Sequence, residues 1–163
     1  MDMETIWIGN DHGGYALKLR LIEYLKDKGY RVNDVGCDST EIVRYPYFAA
    51  KVAGAVSHGQ AKRGILICST GIGMSIIANK YKRVRASLCG TTYLAKMTRA
   101  HNDSNILCLG GKTIGEFEAL DILETWLTTK YMGGRHDISL GLIAEAEQAM
   151  FDDHDWEPSG PMR

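Results

Sequence analysis

Short β-rich runs alternate with stretches of helical spacing along this chain, and few folds accept that order. Thr5–Gly9 reads as a strand and Asn10-Asp11-His12-Gly13-Gly14 as a loop, after which Leu17, Leu21, Ile22 and Leu25 recur at helical spacing up to the stop at Gly29. Arg31–Val35 gives a second strand, Tyr47–Val56 a helix that stops at His58-Gly59, and Ile65–Ile67 a third strand. Val84–Cys89 and Ile106–Leu109 supply a fourth and a fifth, with a helix through Tyr93–Ala100 between them. Glu116–Thr129 and Leu142–Met150 are closing helices. Strands joined through helices pair in parallel by right-handed crossovers. The order therefore predicts an α/β fold, a three-layer α/β/α sandwich around a five-stranded parallel sheet. Residues 1–150 are expected to form one domain, long enough to bury roughly two-thirds of the unfolded surface.

Charge narrows the partners. Nineteen basic residues stand against twenty acidic ones, which leaves no electrostatic footprint for nucleic acid or an anionic membrane, so a small diffusible ligand is expected. The four cysteines, Cys37, Cys68, Cys89 and Cys108, include no C-x-x-C pair, against a zinc ribbon or dithiol motif and in keeping with reduced cytoplasmic thiols. Asp2 and Glu4 stand where a signal peptide would be basic, and no apolar run is long enough to cross a bilayer. The cytoplasm is the expected location. Residues 151–163 form an acidic tail whose one large apolar anchor is Trp156, expected either to fray or to dock on a partner subunit.

The segment Gly64–Lys80 is where chemistry is expected. Gly64–Ile67 has the apolar character of a strand buried on both faces, and Ser75–Lys80 that of a helix, so Cys68, Ser69 and Thr70 fall at the strand's carboxyl end. Open α/β sheets bind ligands there, because loop amides and the following helix converge on an anion. The same field is expected to acidify Cys68. Other strand-end loops offer Asp11 and His12, Thr91 and Thr92, and Lys112; Arg99-Ala100-His101-Asn102-Asp103 and Gly133-Gly134-Arg135-His136 are further contributors.

Familiar loops are excluded by missing parts. Ile76 replaces the third glycine of a dinucleotide fingerprint, and there is no Gly-Lys-Ser/Thr ending for a nucleoside triphosphate. A cysteine phosphatase loop would need arginine where Met74 stands.

Taken together, Asn10-Asp11-His12-Gly13-Gly14, Arg44-Tyr45-Pro46, Ile67-Cys68-Ser69-Thr70-Gly71-Ile72-Gly73, Ala78-Asn79-Lys80, Arg85-Ala86 and Arg99-Ala100-His101-Asn102-Asp103 with Asn105 occur in the order and spacing of one family. Gly110-Gly111 and Gly133-Gly134-Arg135-His136 extend the match. The chain resembles the ribose-5-phosphate isomerase B family, which also includes the subunits of galactose-6-phosphate isomerase, over about Ile6 to Met150. The resemblance implies a Rossmann-like fold, aldose–ketose isomerisation of a sugar phosphate, most directly ribose 5-phosphate, and no metal or organic cofactor.

By the same resemblance, Cys68 matches the base of those members that use cysteine; others place a glutamate at the position of Met74, and methionine takes no proton. His101 would open the sugar ring with Asp11 near the ring oxygen. Thr70, Tyr45 and Asn102 would bind hydroxyls, and His12 and Arg135 would meet the phosphate. On physical grounds the amides of Gly71, Gly73 and Ser75, next to Ser69, are placed to hold a developing oxyanion. The family's His101 and Asn102 are thought to reach the site from a neighbouring subunit, so a homodimer with shared active sites is the smallest active unit implied, and a tetramer the larger alternative. Two departures open the choice of substrate: Lys112 stands where the family often has arginine, and Ser139 where it has a second arginine four residues beyond Arg135. A lysine offers a point charge rather than a bidentate clamp. A hexose 6-phosphate or an unphosphorylated sugar is thus an alternative substrate, a non-catalytic sugar-phosphate-binding subunit an alternative role, and a cysteine-dependent hydrolase an alternative chemistry.

Overall fold

The computed structural model describes residues 3–152. Among these, β1 (Thr5–Asn10), β2 (Arg31–Asp34), β3 (Arg63–Cys68), β4 (Ala86–Leu88) and β5 (Ile106–Gly110) form one all-parallel sheet in the order β2-β1-β3-β5-β4. The helices are α1 (Tyr15–Asp27), α2 (Tyr45–Ser57), α3 (Ile72–Ala78), α4 (Thr92–Asn102), α5 (Glu116–Thr128) and α6 (Arg135–Phe151). None is long and apolar enough to cross a membrane.

Strand order dictates which helix covers which face. The chain moves one way across the sheet from β1 to β2 and from β4 to β5, and the other way from β2 to β3 and from β3 to β4. Right-handed crossovers then put α1 and α4 on one face and α2 and α3 on the other. The core divides accordingly. Leu17, Leu21 and Leu25 of α1, Ala95 of α4, and Ile122 and Trp126 of α5 pack on Ile6, Ile8, Ile65, Ile67, Leu107 and Leu109. On the opposite face Val52 and Val56 of α2 with Met74 and Ala78 of α3 pack on Leu66, Cys68, Ile106 and Cys108. β3 and β5 are buried almost throughout, as strands covered on both faces must be, whereas the edge strands β2 and β4 keep exposed positions.

Three boundaries differ from expectation. α2 opens at Tyr45 rather than Tyr47, because Pro46 suits the first turn of a helix, where its missing N–H has no partner to lose. β4 is confined to Ala86–Leu88, since the Val84 N–H is engaged in a turn to the Tyr81 carbonyl. α6 starts at Arg135, well before Leu142; Ala149 is its one buried residue, so no apolar stripe marks its opening turns. Both ends of the helix are tied near the amino end of the sheet. It begins where the Met132 N–H donates to the Ala100 carbonyl at the end of α4, and it ends where Glu147 accepts the Arg83 N–H and Gln148 accepts Lys82 Nζ, just before β4. Ile138, Ile143, Met150 and Phe151 stand exposed along it. Trp156 and the rest of the tail lie outside the described residues.

Candidate active site

Three loops are stitched together at the carboxyl end of the sheet. The Asp11 N–H donates to the Ile67 carbonyl at 3.1 Å, the Gly111 N–H to the Cys68 carbonyl at 2.8 Å, and the Lys112 N–H to the Ser69 carbonyl at 2.9 Å. These bonds bring Asp11, Cys68, Ser69 and Lys112 together where strand order reverses between β1 and β3, the crevice at which open α/β sheets take their ligands. The approach is close enough that a side chain at Gly13 would strike Ser69.

Cys68 ends the central strand, 5% exposed, and the Gly71 N–H donates to its Sγ at 3.0 Å. That amide sits where charge on the sulfur would be felt. Gly71 has φ +77°, a left-handed turn that glycine accepts without strain and that swings the chain from β3 into α3. Next to it, the Thr70 hydroxyl is exposed and accepts the Ile72 N–H at 3.3 Å. Ser75 turns inward on its own helix: its N–H donates to the Gly71 carbonyl at 3.1 Å and its hydroxyl to the Ile72 carbonyl at 2.8 Å. Met74 is fully buried and packs in the core with Cys68.

Asp11 is buried and accepts the Gly13 N–H at 2.9 Å through Oδ1, which caps a short 3₁₀ turn at His12–Gly14 and leaves its other oxygen available. His12 Nδ1 accepts the Val43 N–H at 3.3 Å, an arrangement that requires the ring proton on Nε2. Two residues on, the Tyr45 ring lies over Gly73, where an added Cβ would stand 2.7 Å from the ring carbons. Glycine at 73 is what lets the ring settle on the start of α3. Lys112 is exposed at the rim. Thr91 is engaged elsewhere, its hydroxyl accepting the Leu94 N–H as the cap of α4.

The remaining candidates sit at the other end of the sheet. α4 leaves the carboxyl end of β4 and runs back, so His101 and Asn102 in its last turn reach the amino end. Arg85, just before β4, fixes that end by donating from Nε to the carbonyls of Asn102 and Asp103 at 2.9 and 3.1 Å, while Arg99 pairs with Asp103 at 2.9 Å. Buried Trp126 donates to the Ser104 hydroxyl at 2.9 Å. Arg135 opens α6 here, exposed, and the ring of His136 stacks on that of His101. Burial first, and then the neighbouring His101 and Arg135, hold His136 below the ordinary imidazole range. Its Nε2 is enclosed and finds no partner among the described residues.

The candidate residues therefore fall into two groups. Asp11, His12, Tyr45, Cys68, Ser69, Thr70, Gly71, Gly73, Ser75 and Lys112 gather at the carboxyl end, and His101, Asn102 and Arg135 at the amino end, about a strand length of 15 Å or more away. The first set offers a sulfur, a carboxylate, amides and an imidazole; the second offers imidazoles and a guanidinium. Two residues of consequence escaped the sequence reading. His136 was seen only as part of a run, since the early start of α6 was not legible. Lys18 was passed over although Lys18, Leu21, Ile22 and Leu25 share one helical phase, which is the available sign of a buried lysine.

The family described as Ribose/Galactose Isomerase matches residues 6–143. The chain is 42% identical to ribose-5-phosphate isomerase B of Escherichia coli, over 90% of this chain and 98% of that protein. It is 41% identical to D-erythrulose-4-phosphate isomerase of Pectobacterium atrosepticum, over 81% and 88%. Among solved structures, ribose-5-phosphate isomerase B of Clostridium thermocellum superposes with a TM-score of 0.88 at 49% identity, covering 90% of this chain and 99% of that one.

Proposed function

The chain belongs to the ribose/galactose isomerase family and is an aldose–ketose isomerase of sugar phosphates; from that premise we propose that it interconverts ribose 5-phosphate and ribulose 5-phosphate through a Cys68 base, at a site completed by a second copy of the chain. Supporting this reading most directly is Cys68 itself, a sulfur at the carboxyl end of the central strand that receives the Gly71 N–H beside the Asp11 loop. The thiolate removes the C2 proton of the open-chain aldose, and the electron pair moves through the C1–C2 bond onto the carbonyl oxygen to give an enediolate. The thiol then returns that proton to C1 as the O2 hydroxyl proton passes to O1, which leaves a C2 ketone. Fixed donors of the turn, the amides of Gly71 and Gly73 among them, hold the charge that develops on oxygen. Thr70 and Tyr45 hold hydroxyls, and His12 donates from Nε2 to the phosphate.

The second copy answers the separation of the half-sites. His101 at the amino end serves as ring-opening acid and base only if another chain's carboxyl end meets it, with Asn102 and Arg135 brought along on sugar and phosphate. Exposed Ile138, Ile143, Met150 and Phe151 along α6, the helix that Arg135 opens, give the second copy an apolar surface to bury. A cyclic dimer is the smallest closed assembly that completes two sites at once. Four unpaired cysteines suit the reducing cytoplasm.

Lys112 and Ser139 favour one further reading, a sugar phosphate other than ribose 5-phosphate, because the phosphate clamp is lighter by two guanidiniums than the family often has. A panel of tetrose 4-, pentose 5- and hexose 6-phosphates with free sugars, scored by exchange of the C2 proton with deuterated water, tests both. Exchange greatest with ribose 5-phosphate is expected, and Cys68→Ala should lower it about 10²- to 10⁴-fold without loss of fold. An undiminished rate in that variant removes the base.

A further inference from the structure

Lys18 is 2% exposed, in a core that is otherwise apolar on that face of α1. A buried ammonium is tolerated only with partners in good geometry, and here the oxygen partners lie at the end of β2 and on the connection that follows it to α2, with the Tyr15 ring 5.4 Å away on α1. Lys18 Nζ lies 3.0 Å from Asp34 Oδ2 at the end of β2, and it donates to the Cys37 carbonyl at 2.5 Å. Cys37 is tied three times more: its N–H donates to the Asn10 carbonyl at 3.2 Å, its sulfur accepts the Asn10 side-chain amide at 3.1 Å, and its thiol donates to the Ser39 carbonyl at 3.4 Å. That same amide donates to the Asp11 carbonyl at 2.8 Å. Further along, the segment gives the Val43 N–H to His12 and delivers Tyr45 onto Gly73.

We infer that Lys18 is a positioning residue for substrate binding: by fastening the Cys37 carbonyl to α1, beside the ties that Asn10 makes to Cys37 from the end of β1, it fixes the segment 35–44, and through it the His12 tautomer and the Tyr45 ring. The inference rests on the proposed function for its kinetic readout but not for its structural one. Lys18 touches no substrate and moves no proton. Its work is to leave His12 with Nε2 protonated, ready to donate to a phosphate oxygen, instead of free to rotate and exchange tautomers. Asp34 is partly exposed, so water can serve its carboxylate when the lysine is removed, and loss of the lysine need not unfold the chain.

Lys18→Met should raise KM for the sugar phosphate about tenfold, weaken competition by inorganic phosphate to the same degree, and leave kcat within about twofold. Nitrogen chemical shifts of the His12 ring should report the Nε2–H tautomer in the wild type and a mixture in the variant. A merely stabilising lysine would do otherwise: active enzyme and melting temperature would fall while KM, phosphate inhibition and the tautomer stayed as they were, and that result overturns the inference. If Lys18→Met does not fold, the pair is removed together in Lys18→Met/Asp34→Leu, a change that buried ion pairs commonly tolerate. The Cys37 carbonyl still lacks its donor there, so KM should remain raised, and a wild-type KM overturns the inference equally. Should the wild type isomerise no sugar phosphate, the proposed function falls, while the His12 tautomer in these variants still decides the role of Lys18.

Discussion

The imidazole of His101 stacks on that of His136, centroids 4.2 Å apart and planes 14° from parallel, at the end of the sheet opposite Cys68. One ring belongs to the last turn of α4 and the other to the first turn of α6, so the stack joins two helices. His101 and Cys68 of one chain thus stand at opposite ends of the same sheet.

His101→Ala should separate ring opening from proton transfer. With ribose 5-phosphate, which closes to a furanose, the turnover number is expected to fall about 10²-fold or more. A four-carbon aldose 4-phosphate cannot close, because the oxygen that would form the ring carries the phosphate. Turnover of that substrate, compared in stopped-flow or NMR assays, should change little. Equal losses on both substrates would remove the ring-opening role.

Stability should fall on mild acidification through His136. Its folded-state affinity for protons lies below that of an unfolded histidine, so between the two values the unfolded chain binds more protons than the folded one and is favoured as pH drops below about 6.5. The melting temperature is expected to decline from about pH 7.5 to about pH 5.5, and His136→Gln should flatten that slope. A slope identical in the two proteins would show that other groups carry it.

Arg135 and Ser139 stand four residues apart on α6 and so share one helix face, both exposed. If that face meets phosphate, Ser139→Arg should lower KM for the phosphorylated sugar several-fold by adding a guanidinium, and Arg135→Ala should raise it about tenfold. Steady-state kinetics with inorganic phosphate as competitor checks both. No change in either variant would place the phosphate elsewhere.

How much of this was legible in the sequence depends on the range of the forces involved. β1, β3 and β5 announce themselves because strands buried on both faces read as unbroken apolar runs, and glycine-bearing loops mark where they end. Strand order is another matter: nothing local says that β5 inserts between β3 and β4, since that depends on which helices cover which face. The start of α6 was hidden because a helix that buries one alanine carries no inward stripe. Among the site residues, the short runs around Cys68, Asp11 and His101 were readable, but the direction of α4, which parts His101 from Cys68 within one chain, is a property of the assembled sheet. Lys18 shows the same limit. Its helical phase was visible, whereas its acceptor, the Cys37 carbonyl, lies on a loop beyond the next strand.

The claim on which the account turns is that one chain's sulfur works with another chain's imidazole, and complementation tests it most directly. Cys68→Ala and His101→Ala are each expected to be nearly inactive on ribose 5-phosphate. After unfolding and refolding together in equal amounts, half the dimers should be hybrids with one intact site of two, so activity should return to about a quarter of wild type. A mixture no more active than its components, with hybrids shown to form by mass spectrometry, would contradict the account.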